Sequence, residues 1–130
     1  MDKHYIVARF KDGTLLRGNT SDFSPFKVSF HLELENTEEI SVDLEKLKAV
    51  FFVKDSPEFE EQIERYKNIK NMGGKKVKVH FVDGEVISGY ALEYSSDHHG
   101  FFLTPDDHAS NNERIFVVTA ATEKITFLAS

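Results

Sequence analysis

The stretches FKDGTLLRG at residues 10–18 and FVDGEVISG at residues 81–89 follow one pattern. Each reads Phe-x-Asp-Gly, then four residues, then a second Gly, and the two copies begin 71 residues apart. Asp-Gly between alternating apolar residues is a strong signal for a two-residue β-hairpin turn, because glycine adopts positive φ without steric cost. The chain therefore contains an internal repeat, and each copy opens with a hairpin.

The repeat extends well beyond these hairpins. Three later segments also match in pairs, namely FHLEL (30–34) with FFLTP (101–105), ISVDL (40–44) with RIFVV (114–118), and VFFV (50–53) with ITFL (125–128). The spacing leaves four extra residues in the polar loop 106–113 of the second copy. Each copy is therefore predicted to form five short strands, and Gly18 and Gly89 predict a bulge or bend in the second strand. Five short strands with a bent second strand favour a small barrel.

Residues 56–74 lie between the copies and have the pattern of one helix. Ser56-Pro57 suits a cap and a first helical position, and Gly73-Gly74 suits an end. Apolar residues recur every three or four positions, at Phe59, Ile63, Tyr66 and Ile69. One apolar stripe of this kind favours packing against a barrel over holding a ligand. The sequence thus predicts a mainly β chain divided into a first repeat, a linking helix and a second repeat, at 1–55, 56–74 and 75–130.

Composition limits the classes of function. The 130 residues include 22 acidic and 16 basic side chains, for a formal charge of −6, so binding to a nucleic acid would require a local basic patch. There is no cysteine, which removes disulfides, thiolate metal sites and cysteine nucleophiles. No apolar run approaches the length of about 20 residues that a membrane span needs. These features predict a cytoplasmic protein with no membrane partner.

The order of features in each copy resembles that of the Sm-like fold. This fold is a small SH3-like barrel, and the Hfq-type RNA chaperones are among the proteins that have it. These features are the Asp-Gly turn, the Gly-bent second strand, a Phe-x-Leu third strand and a short turn before the last strand. The resemblance implies two tandem five-stranded Sm-like or SH3-like barrels joined by one α-helix. Sm proteins read RNA mainly with Asp followed by Met-Asn in the loop after the bent strand. The matching positions here are Ser24, Lys27 and Val28, and Ser95, His98 and His99. The RNA-reading residues therefore do not carry over.

A second resemblance is to an uncharacterised bacterial domain that often adjoins PilZ-type signalling modules. The motifs that carry it are LKAVFFVKD, at residues 47–55, and FFLTPxD followed by NNERIFVV, within residues 101–118. This resemblance implies a bacterial signalling or regulatory setting. The likeness to Sm-like rings, which assemble by pairing fourth and fifth strands, also leaves self-association as a dimer open.

One segment of the chain concentrates positive charge. RYKNIKNMGGKKVK at residues 65–78 contains no acidic residue, and its basic side chains are Arg65, Lys67, Lys70, Lys75, Lys76 and Lys78. These residues are the candidates for contact with an anion, a nucleotide or an RNA backbone. The alternative is a solvated surface whose cations complement the carboxyl end of the helix dipole.

Two His-containing clusters have the residue types of a metal site, namely Asp97-His98-His99 and Asp106-Asp107-His108. A strand over 100–104 would separate the clusters by about 16 Å at roughly 3.3 Å per residue, which argues against one joint site. We interpret both as polar loops, and His4, His31 and His80 as surface residues of strands. No phosphate loop or nucleophile elbow is present, and the sequence forces no two carboxylates into one cleft. The sequence predicts no enzyme, no metal site and no cofactor.

The strand KAVFFVK at residues 48–54 is apolar on both faces. A barrel strand normally buries one face, so a second covering surface is needed for Ala49, Phe51 and Val53. The second barrel, the linking helix or a partner chain could supply it, and we favour cover from within the chain. The leading hypothesis is a non-catalytic binding or regulatory module acting through protein–protein interaction. The alternative is RNA or nucleotide binding through residues 65–78.

Overall fold

The computed structural model describes residues 3–53, 75–91, 99–106 and 112–128. The strands of the first half are β1 (His4–Phe10), β2 (Leu15–Thr20), β3 (Ser29–Glu33), β4 (Glu39–Asp43) and β5 (Leu47–Val53). Those of the second half are β6 (Lys75–Phe81), β7 (Val86–Ala91), β8 (Gly100–Pro105), β9 (Asn112–Val118) and β10 (Thr122–Phe127). Short 3-10 turns, Leu44–Lys46 and Thr119–Ala121, precede β5 and β10. The chain is thus mainly β, and the helix predicted over 56–74 lies outside the described residues.

All ten strands belong to one antiparallel sheet, in the order β10-β6-β7-β8-β9-β5-β1-β2-β3-β4. Each half contributes the same local order, in which the fifth strand pairs with the first. The halves join where β5 lies beside β9, with Ala49 opposite Val117 and Phe51 opposite Ile115. The sheet is continuous, and among the described strands no pairing closes either half on itself, so the structure supports a mainly β chain but not the predicted division into two closed barrels.

Both predicted hairpin turns form. Gly13 and Gly84 have φ of 92° and 95°, the left-handed region that glycine adopts without strain. In each turn the aspartate stabilises the reversal. The Thr14 amide donates to Asp12 Oδ1 at 2.8 Å, and the Glu85 amide donates to Asp83 Oδ1 at 3.0 Å. The Asp-Gly pairs in the sequence therefore correctly predicted these two hairpin turns.

The glycines in the second strands allow close contact between backbones. A Cβ atom on Gly18 would lie 2.2 Å from the carbonyl oxygen of Glu33, and one on Gly89 would lie 2.2 Å from that of Thr104. No side chain fits there. The absence of a Cβ atom lets β3 and β8 cross close over β2 and β7, and this crossing is equivalent in the two halves.

In the structure, the residues of β4 and β9 that correspond in the repeat differ by one position from those matched by sequence. Phe30 lies opposite Val42 in the first half, and Phe101 lies opposite Val117 in the second. Val42 therefore corresponds to Val117, whereas the sequence alignment had matched it with Phe116. A one-residue shift exchanges the two faces of a strand, so the equivalence of β4 and β9 was assigned to the wrong faces.

Two apolar cores lie along the sheet, and each takes side chains from both halves. The first core is built on β1 to β5 and also contains Phe116 and Val118 of β9. The second core is built on β6 to β10 and also contains Ala49 and Phe51 of β5. Since β5 lies between the two cores, both of its faces are buried. This explains why its sequence is apolar on both sides.

Candidate functional site

A cluster of charged side chains spans the junction of the two halves. The Lys48 side chain is only 7% exposed, and its Nζ donates to Asp83 Oδ2 at 2.7 Å and to Glu85 Oε1. Its ammonium also lies 4.8 Å from the centre of the Phe81 ring, a cation–π contact. Arg9 Nη1 donates to Glu85 Oε1 at 3.3 Å. Two cations of the first half thus bind two carboxylates at the hairpin of the second.

The electrostatics of this cluster are those of a structural junction. The hydrogen bond from Lys48, followed by the amide of Glu85, lowers the pKa of Asp83 below its ordinary value of 3.8. The Asp83 carboxylate is therefore ionised at neutral pH and accepts a hydrogen bond from Lys48 Nζ. The cluster holds the hairpin of the second half against β5, and its charges are already compensated within the chain.

The interface candidates Ala49, Phe51 and Val53 lie on β5 at the same junction. Ala49 is 0% and Phe51 8% exposed, both within the second core. The guanidinium of Arg9 lies 5.5 Å from the centre of the Phe51 ring. Val53 is half-buried at the end of the strand and lies opposite Asn112. Ala49 and Phe51 are therefore covered by the chain itself and leave no surface for a partner.

The basic candidates fall into two groups. Arg65, Lys67 and Lys70 lie outside the described residues. Lys75, Lys76 and Lys78 lie on β6, where Lys75 and Lys78 are exposed. Lys76 is half-buried, and its Nζ lies 3.7 Å from Asp106 Oδ2. Lys76 and Lys78 alternate with buried valines, so both point to the outer face of the sheet.

The structure adds a lysine to this outer face. On β10, Lys124 lies opposite His80 and Thr126 lies opposite Lys78. Sequence analysis missed Lys124 as a member of the basic group, since only strand pairing brings it beside β6. The signal available was its alternation with Ile125. We call the outer face formed by Lys76, Lys78, His80, Lys124 and Thr126, with the adjoining strand edge, the β10 surface.

The β10 surface corresponds by the repeat to the face of β5 that is buried. Ala49 lies opposite Arg9 and Lys124 opposite His80, which identifies Ala49 with Lys124. The same pairing identifies Phe51 with Thr126. On β5 these positions are apolar and covered by the second half. Their equivalents on β10 are polar, and among the described strands β10 has a neighbour on one side only.

A polar cleft in the first half is the second candidate. It has a volume of about 300 Å³, and Lys3, Ser21, Asp22, His31 and Glu39 are among its lining residues. His31 Nδ1 lies 2.7 Å from Asp22 Oδ2, and the His31 amide donates to Asp22 Oδ1 at 2.9 Å. The hydrogen bond to Asp22 and then its charge raise the pKa of His31 above 6.5.

This Asp–His pair has the composition of an acid–base dyad and is open to solvent. The His31 side chain is 56% exposed, and no hydrogen bond within the described part of the chain links it to Ser21. No sequence pattern indicates the pair, because residues 22 and 31 meet only through the fold of the loop that joins β2 to β3. Among the described residues, no three His, Cys, Asp or Glu side chains are placed to hold a metal ion.

Comparison with known proteins gives a family match over nearly the whole chain. The sequence model described as "Family of unknown function (DUF6982)" matches residues 2–129. No curated protein and no solved structure matches the chain. Within the described residues, the chain has no helix with the length and apolar character that crossing a bilayer requires.

Proposed function

The chain belongs to DUF6982, a family of unknown function, and we propose from its own geometry that it is a non-catalytic binding module for a protein partner. The setting we propose is bacterial, cytoplasmic and regulatory, and each half is proposed to be a variant of the Sm-like fold. The β10 surface is proposed as the binding surface. The following contacts and exposures support this function.

The observation that carries the proposal is that two faces equivalent by the repeat differ in burial. The outer face of β5 is covered by the second half, and Ala49 and Phe51 are buried there. The equivalent face of β10 carries Lys124, which is exposed, and no described strand lies beside it. A strand at the edge of a sheet can accept another strand, and β10 is an edge strand among those described, which supports this edge as the proposed site for a partner.

The polar groups of the described residues favour binding over catalysis. Lys48, Arg9, Asp83 and Glu85 are paired with one another at the junction. The Asp22–His31 pair lies in an open cleft, where the Thr20 hydroxyl donates to Asp22 Oδ1 at 3.2 Å and no hydroxyl of the described residues is hydrogen-bonded to His31. A catalytic base needs a hydrogen-bonded reacting group in a site that excludes water, and the described residues do not supply that combination.

Nucleic-acid binding is the second candidate, favoured by the arrangement of lysines. Lys75, Lys76 and Lys78 follow one another along β6, and the structure brings Lys124 onto the same sheet beside them. Fluorescence anisotropy of labelled single-stranded RNA at several salt concentrations tests this candidate. Phosphate contacts would give an affinity that falls steeply with salt, and Lys75→Glu with Lys76→Glu would then weaken it. No binding at low salt would exclude this candidate.

Site-specific photo-crosslinking in living cells tests the leading proposal. A photoreactive amino acid is placed at residue 126, on the β10 surface, and as a matched control at residue 11, in the first hairpin. We expect residue 126 to crosslink a discrete protein that residue 11 does not. Crosslinks from neither position, or to nucleic acid alone, would contradict the protein-interaction function.

A further inference from the structure

The chain itself shows what kind of segment occupies the edge of a fifth strand. On β5 that segment is β9, which runs antiparallel and places Phe116 opposite Val50 and Ile115 opposite Phe51. The fifth strand of the second half, β10, has the same position in its half, including the register shift near its start. An occupant of β10 would therefore be an extended antiparallel strand.

The backbone of β10 is oriented for such pairing. The Leu128 amide donates to the carbonyl oxygen of Lys76 at 2.9 Å, so that amide points toward β6. Backbone amides alternate in direction along a strand, so the amide of Ile125 points away from β6 and toward the outer edge. On β5 the equivalent residue, Val50, pairs with Phe116 of β9.

A second copy of this chain is a poor occupant. If β4 of another copy docked on β10 as β9 docks on β5, Lys124 would lie opposite Val42 and Phe127 opposite Glu39. Both pairs set a charge against an apolar side chain on the same face. The junction within the chain instead has Ala49 opposite Val117, and the charged residue opposite Phe52 is Arg114, whose guanidinium lies 4.6 Å from the centre of the Phe52 ring in a cation–π contact that a glutamate cannot make. Cross-strand mismatch of this kind disfavours pairing.

The charges at the junction also oppose self-association. Lys48 pairs with Asp83 across the two halves. The repeat places Glu123 at the position of Lys48 and Asp12 at the position of Asp83, so a second copy would set two carboxylates against each other. Like charges placed together are a recognised device against unwanted strand pairing. These pairings disfavour repeating the junction between two copies of the chain.

We propose that the edge of β10 binds an extended segment of a different protein, in which acidic and apolar side chains alternate. The acidic side chains would lie opposite Lys124 and Thr126, near Lys78, and the apolar ones opposite Ile125 and Phe127. Alternation follows from the period of a strand, and the acidic face follows from the lysines of the β10 surface. This inference rests on the proposed function and specifies its partner.

A synthetic peptide that alternates glutamate with isoleucine and phenylalanine is the probe, with a peptide carrying lysine in place of glutamate as its control. Binding to the full chain is measured by fluorescence anisotropy and mapped by the amide shifts of a ¹⁵N-labelled protein. We expect the glutamate peptide to shift the amides of β10 and β6. Lys124→Glu should weaken it about tenfold, since attraction is replaced by repulsion.

Reversing the charge at residue 124 tests whether binding depends on the sign of that charge. Lys124→Glu should bind the lysine peptide better than the unmodified chain does, and Lys11→Glu, the same change in the first hairpin, should alter neither affinity. Amide shifts confined to other strands, or equal binding of both peptides, would overturn the inference. Concentration-dependent dimers that Lys124→Glu abolishes would also overturn it, because they would make a second copy the occupant.

The crosslinking and peptide experiments distinguish failure of the proposed function from failure of the inferred partner chemistry. If crosslinking at residue 126 captures a protein but the peptide does not bind β10, the partner chemistry inferred here is wrong and the interaction function stands. If crosslinking captures no protein, the interaction function itself fails, whatever the peptide does.

Discussion

At the scale of single residues, Lys48 places a charged group among buried side chains at the junction of the two halves. Its ammonium is buried, while Asp83 and Glu85 are 50% and 39% exposed. Burial of one ion is costly unless its partners stay in place, whereas the exposed carboxylates can be solvated when the lysine is removed. Removing the carboxylates should therefore destabilise the junction more than removing the lysine does.

We predict that Lys48→Met changes the free energy of unfolding by no more than about 1 kcal/mol, because an apolar side chain of similar length suits the site. The double variant Asp83→Asn with Glu85→Gln should be clearly less stable than Lys48→Met, since it leaves the buried ammonium without a charged partner. Urea denaturation of the three proteins at neutral pH measures the order. A double variant as stable as Lys48→Met would contradict the argument.

His31 and Asp22 form the other pair with a residue-scale consequence. Partial burial works against the ionised form of Asp22, but the hydrogen bonds from His31 and Thr20 outweigh it and lower the pKa of Asp22 below 3.8. The same pairing raises the pKa of His31 above 6.5. A raised histidine pKa stabilises the folded state fully below the unfolded value, and the contribution is lost as pH rises through the folded value.

We therefore expect the pairing to stabilise the fold most between pH 3.8 and 6.5, the ordinary values of the two groups. His31→Gln should cost most stability in that window and less as pH rises above it. NMR titration should find the His31 pKa above 6.5 in the unmodified chain and lower in Asp22→Asn. A His31 pKa that does not respond to Asp22→Asn would show that the pair does not form in solution.

At the scale of strands, Gly18 and Gly89 decide how closely the second and third strands of each half approach. The space for a Cβ atom is filled by a backbone carbonyl, which cannot move aside as a flexible side chain can. Gly84 differs, because nothing lies within 4 Å of a Cβ atom there and only its φ of +95° resists substitution. The first two glycines are therefore needed for close contact between strands, whereas the third is needed for the backbone conformation of the turn.

We predict that Gly89→Ala destabilises the chain by about 3 kcal/mol, because the crossing of β7 and β8 must open. Gly84→Ala should cost only about 1 kcal/mol, the strain of a left-handed alanine. Thermal and urea unfolding of the two variants compare the effects, and each serves as the control for the other. Equal costs would mean that the strands do not cross as closely as the structure shows.

At the scale of the whole molecule, the two halves share their interiors. Phe116 of β9 is 0% exposed and lies in the first core, where its ring packs 5.1 Å from that of Phe23 and 5.1 Å from that of Phe102. Ala49 and Phe51 of β5 lie in the second core in return. Separating the halves would expose parts of both cores and an apolar edge on each.

We expect the chain to unfold in one transition and neither isolated half, 1–55 or 75–130, to fold alone. Phe116→Ala should lower the stability of the whole chain by about 3 to 5 kcal/mol, a cost typical of removing a buried aromatic side chain. Circular dichroism and urea unfolding of the halves and of the variant provide the measurement. An independently folded half, or two separate transitions, would show that the cores are not interdependent.

Much of the local structure could be predicted from the sequence. The Asp-Gly pairs predicted both hairpins, alternation predicted strands on both sides of them, and the two-faced apolar pattern of residues 48–54 predicted that β5 is covered on both sides. These features depend on steric rules that act over a few neighbouring residues. The structure bears out the chain as mainly β, with Ala49 and Phe51 covered from within it.

The tertiary structure alone decided what depends on residues far apart in the chain. It placed β9 on the open edge of β5 and so joined the strands of the two halves into one sheet. It also moved the alignment of β4 with β9 by one residue, brought Lys124 beside Lys78, and joined His31 to Asp22. Each of these depends on which strand edge is available for pairing and in which register. Alternation along one strand leaves that choice open, because the same pattern fits more than one neighbour.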